Sequence, residues 1–180
     1  MKRILPLLFL FSFSFVSGQQ YANYSSSLEL TGGYTNDGYA INGGFNYYLD
    51  RYSYVQGAVY LSFAKNEQEG FEVPYNNFTL NVGYFRNVYG SLNRKFYAAI
   101  GGGAVIGYEV VNNGNEELEG GAIVDNRSNL LYGAFIGAEI DIYLSETFSF
   151  LIKANEYYHP SSDLGTFTFY GGAGIRYILF

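Results

Sequence analysis

The 180-residue chain has no cysteine, one histidine and three prolines, and only 14% of it is charged. Without cysteine there can be no disulfide framework, zinc knuckle, iron–sulfur centre, thiol nucleophile or acylated lipoprotein cysteine. The lone His159 leaves little scope for metal chemistry. Positive charge is scarce: 10 Lys and Arg stand against 16 Asp and Glu, a net charge of −6. A nucleic-acid groove needs a basic stripe, so nucleic-acid contact is not expected. After Gly18 no apolar run approaches the ~20 residues that a spanning helix requires, which excludes a helical membrane protein. What is present is 48% hydrophobic residues, too many for a disordered chain. Among them are 20 Tyr and 16 Phe, beside 23 Gly.

Met1-Lys2-Arg3 is a positive start, residues 4–16 are apolar apart from Pro6, Ser12 and Ser14, and Val16-Ser17-Gly18 supplies small residues. This is the pattern of a secretory signal peptide over residues 1–18, with one domain over residues 19–180. Loss of Lys2 and Arg3 takes the net charge from −6 to −8, so an exported acidic protein is expected.

From Ser27 onward the apolar residues recur in twos, the period of a strand and not of a helix. Between Asn129 and Ile142 one face carries Leu130, Tyr132, Ala134, Ile136, Ala138, Ile140 and Ile142. That face is longer than the five or six residues usual for a strand in a soluble sheet. The same alternation runs over residues 39–49, 53–64, 77–86, 96–108, 148–156 and 167–179, and more weakly over 27–34. The expectation is an all-β, eight-stranded antiparallel up-and-down transmembrane barrel of the outer-membrane type. In hydrocarbon every backbone polar group needs a partner, so a sheet there must close on itself. Outward links are expected at residues 35–37, 65–76, 109–128 and 157–166, and shorter inward turns at 50–52, 87–95 and 143–147. A soluble lipocalin-like barrel or sandwich would turn its apolar face inward and coat its other face with Lys and Glu. Here that other face carries only a few charges.

An eight-stranded barrel is only wide enough for its own side chains. Glu29, Glu139, Asp141, Lys153 and Arg176 fall on the inward face, where charges persist only when paired, so a lumen ion-pair network is expected. Gly101, Gly103, Gly107, Gly133, Gly137, Gly172 and Gly174 would make room for those long side chains. Residues 109–128 form a long link of the size that often carries function. Glu109, Asn112, Gly114, Glu116, Glu117, Glu119 and Asp125 make it a candidate interaction loop. Its acids match no EF-hand spacing, so a solvated acidic loop is preferred to a calcium site.

His159-Pro160-Ser161-Ser162-Asp163 is where an imidazole lies near a hydroxyl and a carboxylate. Outer-membrane lipid A deacylases also place His and Ser two residues apart, but with a downstream Glu, and no Glu follows Glu156 here. No catalytic, cofactor or metal site is therefore assigned.

The run Gly107-Tyr108-Glu109-Val110-Val111-Asn112-Asn113-Gly114, followed by residues 132–139, then Tyr143-Leu144-Ser145 and Ser162-Asp163-Leu164-Gly165, resembles the conjugal transfer protein TraO family of Bacteroides-type conjugative transposons. The resemblance covers roughly residues 107–180. It implies a non-catalytic outer-membrane component of a type IV secretion-like mating apparatus in a Gram-negative, Bacteroidetes-like bacterium. Its partners would be outer-membrane lipids and other transfer proteins, with no small-molecule substrate. The alternatives are a general OmpX-like or porin-like adhesion barrel and, less favoured, a lipid A acyl-modifying enzyme.

Overall fold

A computed structural model describes residues 26–68, 71–91, 95–112 and 128–179. The expected signal segment, residues 1–18, and Phe180 lie outside the described residues. Eight strands follow one another: β1 (Ser26–Thr35), β2 (Gly38–Tyr48), β3 (Ser53–Gln68), β4 (Phe71–Gly90), β5 (Phe96–Val111), β6 (Asn129–Tyr143), β7 (Phe148–Tyr158) and β8 (Phe167–Leu179). Each pairs antiparallel with the next, and β1 pairs with β8, from Ser26 opposite Leu179 to Thr35 opposite Tyr170, so the sheet closes.

The alternation resolves into an inside-out molecule. Leu30, Ile41, Leu80, Val82, Ile100 and Ile136 stand outward and exposed, whereas Glu29, Asn46, Gln56, Glu139, Lys153 and Arg176 are buried inside. Aromatic rings gather outside at both ends of the strands. At the end of the long links Tyr34 opposes Tyr39, Phe78 opposes Tyr108 and Tyr158 opposes Phe167. At the turn end Phe148 opposes Tyr177, with Tyr47 and Tyr84 also exposed. An apolar band between two aromatic girdles is the exterior of a membrane-spanning barrel.

Two links differ from expectation. β3 and β4 run on to Gln68 and Phe71, so residues 65–76 are mostly paired strand and not a loop, and Lys65 opposes Pro74. Past the girdle the apolar side switches faces: Ala64, Val73 and Tyr75 are buried inward with Val111 while Lys65 is exposed, so the outward hydrophobic run stops although the backbone ladder continues. Pro74 is tolerated because it lies past the outermost β4–β5 pair among the described residues, Tyr75 with Val111. At the other end β4 reaches Gly90 through an irregularity between Asn87 and Tyr89, which shortens the turn expected at 87–95.

The β2–β3 turn is organised by Asp50. Its Oδ1 accepts the amides of Tyr52 and Ser53 at 2.7 and 2.9 Å, and its Oδ2 accepts the Ser53 hydroxyl at 2.8 Å. These donors hold the carboxyl below the usual range, as expected for an Asp that builds its own turn.

Candidate functional site

Register builds the lumen. Glu29 sits directly opposite Arg176 across β1 and β8, and Glu139 directly opposite Lys153 across β6 and β7. Cross-strand partners on one face are close enough to pair, so two opposite-charge couples follow from closure itself. Asp141 lies two residues beyond Glu139, on the same face.

Arg176 binds all three carboxylates: its Nε and Nη2 donate to Glu29 at 3.2 and 2.6 Å, Nη2 also to Glu139, and Nη1 to Asp141. Lys153 bridges Glu29 and Glu139, the latter at 2.9 Å. Three carboxylates thus meet two cations, and neutral donors meet the surplus negative charge. Asn46 Nδ2 donates to Glu29 at 2.8 Å, Tyr54 Oη to Glu139 at 2.6 Å and Ser149 Oγ to Asp141 at 2.7 Å. Gln56 Nε2 reaches Glu29 and Glu139, each at 3.1 Å, while its Oε1 accepts Lys153 at 3.0 Å. Every charge in this layer is both paired and hydrogen-bonded, which a buried charge requires.

A column of aromatic rings, set among buried polar side chains such as Asn42, Asn77 and Asn81, fills the lumen beside this layer. Tyr54 stacks on Phe85 at 5.4 Å, Phe85 meets Phe135 at 6.1 Å, and Phe135 meets Tyr157 at 5.7 Å. Tyr157 then contacts Tyr60 at 4.8 Å and His159 at 5.6 Å, and Tyr60 meets Tyr170 edge-on at 5.4 Å. The column is joined to the ionic layer, because the Arg176 guanidinium lies 5.4 Å over the Tyr54 ring and Lys153 5.9 Å over Phe85. The buried phenols are satisfied: Tyr60 donates to Thr35 at 3.1 Å, Tyr170 shares a 2.7 Å bond with Thr31, and Tyr157 accepts from Asn155 at 3.0 Å.

This column corrects the reading of the glycines. A Cβ on Gly101 would strike the Phe85 ring at 2.5 Å, one on Gly172 the Tyr170 hydroxyl at 2.3 Å, and one on Gly137 would meet Asn155 and Phe85. Gly103, Gly107, Gly133 and Gly174 instead abut carbonyls of the neighbouring strand at about 2 Å. Lumen glycines therefore clear space mainly for rings and backbone. Gly44, absent from the expected set, is the one that faces Glu29, with 3.0 Å from a Cβ to Glu29 Cγ.

The long-link end differs from expectation as well. β5 continues to Val111, so Glu109 belongs to a strand and not to the loop; it is fully buried. Its carboxylate accepts the Ser162 hydroxyl at 2.7 Å and the Asp163 amide at 2.9 Å, tying the β7–β8 link to the barrel rim. Asn112 follows with φ 48° and is also buried. Gly114, Glu116, Glu117, Glu119 and Asp125 lie outside the described residues.

His159, Ser161 and Asp163 are not brought into a catalytic array. The His159 ring is buried against Tyr157, and neither ring nitrogen has a hydrogen-bond partner among the described residues. Burial pushes the imidazole down to about 4. Ser161 Oγ donates to the Leu130 carbonyl at 2.9 Å and Asp163 accepts Asn129 Nδ2 at 2.5 Å. Among the described residues no group of acids and His could hold a metal ion. Sequence reasoning missed Asn46, Tyr54 and Ser149 as members of the ionic layer and missed the ring column. Strand parity places them inward, but parity does not tell which side chains meet.

Solved structures share the architecture. The chain is similar to the N-terminal β-barrel domain of Pseudomonas aeruginosa OprF, with TM-score 0.57 and 14% identity, covering 88% of this chain and 99% of that one. Neisserial surface protein A gives TM-score 0.57 at 7% identity, covering 86% and 94%. A de novo designed transmembrane β-barrel gives 0.52 at 12%, covering 89% and 99%. At such identities the likeness shows the fold alone. No curated protein matches the chain. The family model described as conjugative transposon protein TraO matches residues 16–179, far more than the carboxyl-terminal half that carries the resemblance by motif. With nearly the whole barrel inside that match, the chain belongs to the TraO family of conjugative transposon proteins.

Proposed function

We propose that this barrel is a non-catalytic outer-membrane anchor or scaffold of a conjugative mating apparatus, exported through a signal peptide that is removed near Gln19. The observation that carries the reading is the filled lumen. An ionic layer of five charged side chains and a continuous ring column occupy the space that a channel or buried active site would need. Function then falls to the outward face, the turns and the links. The lipid-facing band supports placement in an outer membrane, and membership of the TraO family supports a role in transfer.

Deleting the chain from a donor strain is expected to abolish transfer without changing growth; normal transfer would overturn the reading. Fractionation should recover a heat-modifiable band with the outer membrane, and the intact mass should begin at Gln19. A soluble periplasmic monomer would contradict the placement. Removing residues 114–121 tests whether the long loop contacts other transfer proteins. A drop in transfer at normal abundance would support that role, and unchanged transfer would exclude it. The His159→Ala variant is expected to leave lipid A composition unchanged; an altered lipid A profile would favour an acyl-modifying enzyme.

A further inference from the structure

The outward face between the girdles is apolar on every strand with one exception. Glu156 on β7 follows Phe148, Phe150, Ile152 and Ala154 on the lipid-facing side, and it precedes Tyr158. Among the described outward residues between the two aromatic rings it is the one ionisable side chain. The register sets its depth. Tyr158 opposes Phe167 in the girdle, and Glu156 opposes Ile136 and Phe169 one side-chain repeat below. Two residues of a strand rise ~6.6 Å and barrel strands tilt ~40°, so the carboxylate lies roughly 5 Å inside the girdle.

No hydrogen bond or ion pair joins the Glu156 carboxylate to any other described residue. It lines a groove of about 530 Å³ with Ile100, Ile136, Ala138, Ala154 and Phe169. Small side chains on β6 and β7 make the wall concave there, between the bulkier Ile136 and Phe169. A second groove on the opposite wall, about 640 Å³, is lined outward by Leu28, Gly43, Phe45, Gly57, Val59, Leu80 and Val82, with no ionisable outward side chain. Acyl chains can fill that one at no electrostatic cost. They offer Glu156 no donor, and an ionisable residue at membrane depth ordinarily marks a functional contact.

We infer that the Glu156 groove docks a membrane-embedded segment of another transfer protein that brings a Lys or Arg to this carboxylate. Charge complementarity selects the partner. A cation gives Glu156 the paired, hydrogen-bonded state that every lumen carboxylate already has, and the Ala138 and Ala154 floor lets a bulky apolar side chain beside that cation seat closely. The inference rests on the conjugation reading above.

The test uses the full chain in donor cells. Glu156→Leu removes the lipid-facing charge and is expected to leave outer-membrane abundance normal, to leave the temperature of the heat-modifiable transition equal or higher, and to lower transfer at least tenfold. Ala154→Phe fills the groove without touching the charge and should also lower transfer at normal abundance. Gly57→Ala in the opposite groove, where a new Cβ meets nothing within 4 Å, should transfer normally. Should Glu156→Leu fail to assemble, Ala154→Phe decides. Transfer within twofold of wild type by an assembled Glu156→Leu or Ala154→Phe variant overturns the proposal. The same holds if Glu156→Leu alters only the aminophospholipid that co-purifies. Transfer lost on deletion of the chain but kept by these variants overturns the docking groove alone, whereas normal transfer after deletion overturns the conjugation reading and the groove with it.

Discussion

Replacing Arg176 with Met should cost the barrel about 3–5 kcal/mol, the usual penalty for removing one partner of a buried ion pair. The estimate follows from the contacts. Arg176 is 1% exposed and is the group that touches Glu29, Glu139 and Asp141 at once. Without it three carboxylates share Lys153, and Lys153 bonds only two of them. Asp141 keeps the Ser149 hydroxyl but no cation. Arg176→Lys should fall in between, because a single ammonium cannot reproduce a fork that spans three acceptors. Pairing Arg176→Met with Glu29→Gln should recover part of the loss, with a coupling energy of about 1–3 kcal/mol. The chain has no tryptophan, so guanidinium unfolding in detergent micelles would be followed by circular dichroism and by heat-modifiable migration. An Arg176→Met variant within about 1 kcal/mol of wild type would refute the argument, since a buried, shared cation cannot be that dispensable.

Phe85→Ala should open a void between Tyr54 and Phe135 and cost about 3–5 kcal/mol in the same assay; a loss below about 1 kcal/mol would mean that the rings do not pack as a column. Glu109→Ala removes the acceptor of Ser162 and Asp163, a local loss of about 1–3 kcal/mol. It should speed protease cleavage within residues 160–166, and an unchanged cleavage rate would show that the rim latch does not restrain the link. His159 is held neutral by burial, with a folded value of about 4 against 6.5 for the free group. Its contribution to stability is therefore complete above pH 6.5 and is lost as pH falls toward about 4, because the unfolded chain takes up the proton first. An imidazole NMR titration should show the low midpoint, and a midpoint near 6.5 would place the ring in water.

Much of the fold could be read from the residues, and the limits have physical causes. Within the membrane a strand has lipid on one side and lumen on the other, so parity sorts Ile136 from Glu139 and Ile152 from Lys153. Past the outer girdle the apolar side turns inward, with Val73 and Tyr75 buried and Lys65 exposed, so the ends of β3 and β4 could not be located by following the outward apolar run of Phe63 and Phe78. Glu109 looked like a loop acid because the groups that bury and bond it, Ser162 and Asp163, come from the β7–β8 link and not from its own strand. Parity also placed Tyr60, Phe135 and Tyr170 inward among small and polar neighbours, yet it gave no sign that they stack. Ring contacts depend on the barrel's radius and stagger, which are properties of the closed sheet.

By itself, then, the sequence determined the fold class, the inward and outward faces, the charged residues consigned to the lumen and the resemblance to the TraO family, because each of these rests on a local pattern or motif. Only the tertiary structure decided that Glu29 meets Arg176, 147 positions away, that the glycines serve rings more than charges, and that the Glu156 carboxylate on the lipid face has no partner among the described residues. Those facts depend on β1 closing against β8 and on the register that closure sets, and register is a relation between strands that no single strand contains.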